Sequence, residues 1–184
     1  MEAEMIAVQR LFGFSDQDLA SINKLIPQLS SSALLHTTET LEKVLKQEHH
    51  HIFVARDNSP EGGGKIVGMA AIFFEDRLEG WLGEIHSVAV DSAYRGRHIG
   101  DQITSQLVAD GRLKAQKEKR NIVVYLTCKP ERVAANRMYR KYGFEPAAKA
   151  IPMRDPWTRK VLRDPVTGKT RYKGTNLYRK LFQP

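Results

Sequence analysis

Residues 88–100, VAVDSAYRGRHIG, constrain the fold more than any other stretch of this chain. A run of apolar residues with strand preference meets a short turn, then an arginine–glycine loop, then an amphipathic helix starting at Ile99. That order puts unpaired backbone N–H groups at a helix N-terminus, where the helix dipole also favours negative charge. It points to a phosphate-bearing ligand whose remaining length lies along the strand.

The flanking elements fix the class of fold. Val8 to Phe12 reads as a first strand, ended by Gly13. Ser15-x-x-Asp18 has the form of a capping box, followed by Leu19, Ile22, Leu25 and Ile26 on one helical face. Thr38 is placed to cap a second helix with Leu41, Val44 and Leu45. His51–Arg56 and Lys65–Phe74 are predicted strands joined by the polar, glycine-rich turn 57–64, hence a hairpin. Trp81–Val90 is a further strand, Ile99–Lys117 a helix with Ile99, Ile103 and Leu107 on one side, and Asn121–Thr127 a buried strand. Glu131–Tyr142 is a helix with Pro130 suited to its first turn and Gly143 to the position just past its end. Leu177–Phe182 is the last strand. A crossover through Ile99–Lys117 requires a parallel neighbour for the Asn121 strand. The expected fold is therefore α/β (α+β): a mixed, mostly antiparallel central sheet with one parallel pair, flanked by helices, in a single domain spanning 1–184.

The 184 residues suit one domain of about 100–200 residues with a sizeable core. The beginning of the chain carries Glu2 and Glu4 and no long apolar run, and nowhere is there a stretch near the roughly 20 apolar residues that cross a bilayer. With one cysteine, Cys128, no intrachain disulfide is available, which fits a reducing cytoplasm. The net charge of +8 is uneven: from Glu145 onward the acids are Glu145, Asp155 and Asp164, against ten lysines and arginines. Such a region can hold nucleic acid, an anionic cofactor or an acidic substrate, or can be a solvated face. No aromatic RNA-binding sheet motif and no helix-turn-helix accompany it, so nucleic acid is not the expected partner. His49-His50-His51 are adjacent and point in different directions, and no cluster has zinc spacing, so no metal is expected.

Two motifs and the order of elements resemble the GNAT superfamily of acetyl-CoA-dependent N-acetyltransferases. Arg95-Gly96-Arg97-His98-Ile99-Gly100 stands against the family pattern Arg/Gln-x-x-Gly-x-Gly/Ala, and Ala134-Ala135-Asn136-Arg137-Met138-Tyr139 continues to Tyr142-Gly143-Phe144. Thr175–Arg179 is similar to the closing strand of many bacterial members. The resemblance covers about residues 5–148 and the last strand. One position departs from it: His98 stands where the pattern has its middle glycine, and a helical φ would accommodate histidine there without strain.

The resemblance implies acetyl-CoA as cosubstrate and an amine, small or on a protein, as acceptor. Backbone N–H groups from Arg97 through His98, Ile99 and Gly100 to Asp101 would hold the pyrophosphate, with Arg95 or Arg97 adding charge-assisted hydrogen bonds. Gly96 and Gly100 would let the chain approach closely, and the Asp101 side chain is expected to face solvent. Pantetheine would pair like a strand with Val88, Ala89 and Val90, where the parallel strands of this family splay apart. Tyr139 is implied as proton donor to the departing sulfur and Asn136 as a hydrogen-bonding partner of the cofactor. Glu84 is the implied general base and His86 the second choice; by alternation Glu84, His86 and Val88 share one face. An amine of pKa near 10.4 is only about one part in 10³ neutral at pH 7, so a base is useful. The segment 146–174 lies where the family often has a short connection; Asp164–Lys169 reads as a turn between two extended runs, and its basic residues would favour an acidic acceptor. A homodimer is left open, no membrane is expected, and the alternative reading is a non-catalytic module binding CoA or nucleic acid.

Overall fold

The structure is a computed structural model and describes residues 5–29, 33–78, 80–148, 151–152, 172–173 and 175–184. The chain divides into two compact units, residues 1–124 with 181–184, and residues 125–180. Most of the segment 146–174, including its turn at 164–169, lies outside the described residues.

The first unit contains β1 (Ile6–Arg10), α1 (Asp16–Leu29), α2 (Thr38–Leu45), β2 (His50–Asp57), β3 (Lys65–Arg77), β4 (Gly80–Val90), a 3₁₀ turn (Ser92–Tyr94), α3 (Ile99–Glu118) and the start of β5 (Ile122–Cys128). The second contains the end of β5, α4 (Val133–Lys141), β6 (Glu145–Ala148), β7 (Ile151–Pro152), β8 (Tyr172–Lys173) and most of β9 (Asn176–Phe182). The sheet order is β1-β2-β3-β4-β5-β9-β6, mostly antiparallel, with β4 and β5 the parallel pair; β7 and β8 form a separate two-stranded ladder. The mixed sheet expected from the crossover is the one observed.

In the first unit, α1 and α2 cover one face of the sheet. Ile22, Leu25, Ile26 and Leu41 pack with Val54, Ile66, Met69 and Ala89. The reciprocal Ser15–Asp18 capping bonds form as expected, at 3.1 and 3.2 Å. In α2 the cap is Thr37 instead of Thr38, in a capping box with Thr40. That exchange could not be read from two adjacent threonines, either of which can cap. β1 begins and ends two residues before its predicted bounds, because Phe12 is turned out to solvent beneath the Arg10 guanidinium.

The opposite face carries α3. Its buried row is Ile99, Ile103, Leu107, Gly111 and Ala115, spaced by four. The row narrows toward its end because the Phe182 ring occupies that space, 3.1 Å from where a Cβ on Gly111 would lie. Near its start α3 presses on β3: a Cβ on Gly68 would meet Ile103 Cδ1 at 3.0 Å and Ile99 Cγ2 at 3.1 Å. Ile103 and Leu107 are fully buried, and truncating either to alanine would cost about 2–5 kcal/mol.

In the second unit, α4 begins two residues after its predicted start and ends one residue early, and Gly143 turns the chain with φ of 77°, as its place past the helix end predicts. Tyr139, Phe144 and Tyr178 form its core, with ring centroids 6.2 Å apart in both Tyr139 pairs. β6 was not expected. Its four residues are all exposed and Pro146 lies within it, so it lacks the apolar alternation that marks a strand; as an edge strand it tolerates the missing N–H.

Candidate active site

The loop between β4 and α3 is held by its own side chains. Asp91, buried, caps the 3₁₀ turn by accepting from Ala93 N at 3.1 Å and pairs with Lys24 at 2.8 Å. The Lys24 ammonium is the main reason its carboxyl lies below the usual range. The Tyr94 hydroxyl donates to Asp57 at 2.7 Å, and Lys65 and Arg97 both lie over the Tyr94 ring, at 5.3 and 5.0 Å. Arg95 donates to Val90 O and to Gln28 Oε1, each at 3.3 Å, so its guanidinium braces the loop.

Gly96 has φ of 81°, with open space where a Cβ would stand. His98 has φ of 58° and ψ of 13°, which corrects the helical φ expected for it: the left-handed geometry of the pattern's glycine is retained by a histidine, one of the few side chains enriched there. No side chain caps α3. The His98 side chain thus supplies no cap to the first turn of α3, a helix start that suits an anion. Asp101 is also corrected: its side chain is 28% exposed and lies 3.8 Å from the His98 ring, so it is half-buried beside that histidine instead of facing solvent.

On β4 the ladder to β3 breaks. Ala71 pairs with His86 but Met69 pairs with Ala89, so β4 spends one extra residue opposite Ala70. Ser87 takes φ of 55° at this bulge. The consequence corrects the expected alternation: Glu84 and His86 share a face with Ala89, and Val88 does not continue it. Ala89 is buried, while Val88 and Val90 are partly buried.

Glu84 is exposed and His86 half-buried on that face, where His86 makes two ring contacts. Its Nε2 lies 3.0 Å from His50 Nε2, and its Nδ1 lies 3.0 Å from Ser87 Oγ. Burial lowers the His86 pKa, and the Glu84 charge opposes that shift. His50 is pushed down to about 4 by burial and by the neighbouring His86 and His51 rings. Both imidazoles are therefore neutral at pH 7. His49 meets Trp81 edge to face and His51 bonds Asp110, so the three adjacent histidines do diverge. Among the described residues no group of three metal-binding side chains occurs.

In the second unit, Tyr139 is 4% exposed, and burial raises its pKa well above that of a free phenol. It is a proton donor at any physiological pH. Asn136 turns out differently from its expected role. Its amide donates to Lys129 O and Arg132 O, both at 2.8 Å, and its oxygen accepts from Asn176 Nδ2 at 2.9 Å and the Tyr178 hydroxyl at 2.8 Å. All four of its hydrogen-bonding positions are taken by protein, leaving none for a cofactor. Asn136 ties α4 to the strand residues of its own unit. Cys128 is buried, which raises its pKa, consistent with a packing role.

Sequence reading missed Ser87 and His50. The only local sign was the shift from alternation to the unbroken run Val88–Val90, which a buried strand would also show.

Residues 20–144 match the model of the acetyltransferase (GNAT) family. Over 101 residues the chain is 34% identical to the N-alpha-acetyltransferase RimI of Mycobacterium tuberculosis (strain ATCC 25618 / H37Rv), covering 55% of this chain and 56% of that protein. The chain thus aligns with about half the length of that relative. Among solved structures it resembles a chain of the NatC complex bound to Gag peptide and CoA, with TM-score 0.63, 20% identity and coverage of 97% and 98% of the two chains. It also resembles Arabidopsis thaliana NAA60 in complex with acetyl-CoA, with TM-score 0.64, 16% identity and coverage of 96% and 98%. A family match over most of the chain, on a mixed sheet whose β4 is bulged and whose α3 opens without a cap, is decisive: the chain belongs to the acetyltransferase (GNAT) family.

Proposed function

We propose that the protein moves the acetyl group of acetyl-CoA to a primary amine by direct attack within a ternary complex. The observation that carries this reading is the uncapped start of α3 behind a left-handed His98, fed by a strand whose ladder is broken at Ser87. The amides of residues 97–101 hold the pyrophosphate, Gly96 and Gly100 give it room, and Arg97 supplies charge. Arg95 acts on the loop itself. Val88–Val90 offer backbone groups to the two amides of pantetheine, and a main-chain N–H near Val88 meets the developing oxyanion. The chain is read as a single acetyltransferase domain, supported by a family match whose range, 20–144, includes residues of each compact unit.

The thioester supplies the activated acetyl group; the chain's own residues manage protons and position. Tyr139, kept protonated by burial, gives its proton to the leaving thiolate. Glu84 or His86 takes one from the acceptor. A neutral His86 of lowered pKa is a weak base. It suits an α-amine, with pKa about 7.7–8.0, far better than a lysine amine near 10.4. The acceptor is accordingly read as the α-amine of a peptide, in keeping with the name of the RimI relative. No described helix is long and apolar enough to cross a membrane, and the lone buried cysteine supports a place in the cytoplasm.

The test is a screen of peptides and small amines for acetyl-CoA-dependent release of free CoA at pH 7, with peptides of free and blocked N-terminus compared. Turnover that requires a free α-amine upholds the reading. Turnover on lysine side chains alone would overturn the acceptor, and no amine-dependent release with any acceptor would overturn the activity.

A further inference from the structure

The bulge on β4 has chemistry that acetyl transfer to an amine does not require. Ser87 is exposed, and its φ of 55° holds it in a conformation that a non-glycine residue adopts at a cost. Its Oγ lies 3.0 Å from His86 Nδ1, and the far nitrogen of that ring lies 3.0 Å from His50 Nε2. A hydroxyl within hydrogen-bond reach of a base, with the base oriented by a third group, is the signature of an activated nucleophile. We propose that Ser87, His86 and His50 form a serine–histidine–histidine acyl-acceptor site, through which the protein slowly hydrolyses acetyl thioesters when no amine is bound.

The third member decides how this works. His50 is held neutral at pH 7 by burial, and its Nδ1 has no hydrogen-bond partner among the described residues. In the proposed site Nδ1 carries the His50 proton, so that the Nε2 lone pair faces His86. With that lone pair facing His86 Nε2–H, His86 Nδ1 is left bare toward Ser87. Ser87 Oγ attacks the thioester carbonyl carbon while its proton passes to His86 Nδ1. The C–S bond breaks, the sulfur leaves as thiolate and takes the His86 proton, and an acetyl ester remains on Oγ. Water then attacks that ester and gives a proton to His86. The C–Oγ bond breaks, Oγ recovers the proton, and acetate leaves. The sum is thioester plus water giving thiol, acetate and a proton. A neutral imidazole stabilises the His86 imidazolium less than a carboxylate would, so the reaction is slow. The Glu84 charge on the same face assists it.

Use of acetyl-CoA as donor rests on the cofactor reading above, whereas the nucleophile itself does not. The full chain is therefore incubated, without amine, with acetyl-CoA and separately with p-nitrophenyl acetate, which needs no CoA loop. Peptide mass spectrometry then locates the added acetyl group. The expected result is acetyl on Ser87 from both donors, with thiol release falling at least about tenfold in Ser87→Gly and in His86→Ala. Glycine adopts φ of 55° without strain, so Ser87→Gly preserves the bulge, and a thermal shift with CoA confirms its fold. Acetyl on Ser87 from p-nitrophenyl acetate alone upholds the nucleophile but overturns its use of acetyl-CoA, and with it the placement of the cofactor along Val88–Val90. Acetyl on no serine with either donor, or thiol release undiminished in Ser87→Gly, overturns the proposal.

Discussion

Tyr139 and His50 show how burial sets the work of a single residue. Tyr139 is a phenol that cannot ionise where it sits, so its contribution to catalysis is as an acid. Tyr139→Phe is expected to lower kcat by about 10²–10⁴ while leaving the Kd for acetyl-CoA within a few-fold, measured by steady-state kinetics beside calorimetry. Equal losses in both would assign Tyr139 to packing. His50 makes a prediction about stability. Its folded pKa, about 4, lies below the ordinary histidine value of 6.5. Between those values the unfolded chain binds the extra proton, so stability is full above pH 6.5 and is lost as pH falls toward 4. For a ring partly open to solvent the loss is at most about 2 kcal/mol. Urea denaturation at pH 7 and pH 4.5 should show a smaller difference in His50→Phe than in the native chain. Asn136 was the residue least legible beforehand. Its partners at 129, 132, 176 and 178 lie as far as 42 residues away in the chain, and a motif cannot show that they saturate it.

Elements were legible where one partner determined them. α3 was found to within one residue of its end because its row of apolar side chains repeats every four positions. The bulge in β4 was not legible, since it exists only relative to the pairing with β3. Gly68 joins the two observations. It lets α3 settle on β3, and so fixes where the uncapped first turn stands. Gly68→Ala would place a methyl 3.0–3.3 Å from Ile103, Ile99 and the Ala89 carbonyl, and the helix start must move by a few tenths of an ångström. The substitution is expected to cost about 1–3 kcal/mol by thermal denaturation and to weaken acetyl-CoA binding several-fold. Stability lost with affinity untouched would show that the position of α3 does not matter to the ligand.

For the whole molecule, charge is the property that sequence alone displays best. The net +8 is gathered toward the end of the chain, where ten basic residues face three acids. If that region favours acidic acceptors, reversing Arg159, Lys160 and Arg163 to glutamate should raise KM for an acidic peptide severalfold, with little change for a neutral one. The gap between the two peptides should close as salt is raised. An unchanged ratio would leave the basic stretch with a solubilising role. The mixed sheet was legible from the order of strands and helices, because a single crossover helix permits few topologies. His98 carries the broadest lesson. The turn into α3 asks for a left-handed backbone, and histidine, asparagine or aspartate can also meet that demand, at a cost that glycine does not incur. A search pattern written around glycine alone would pass over relatives built this way, and one written around the dihedral would find them.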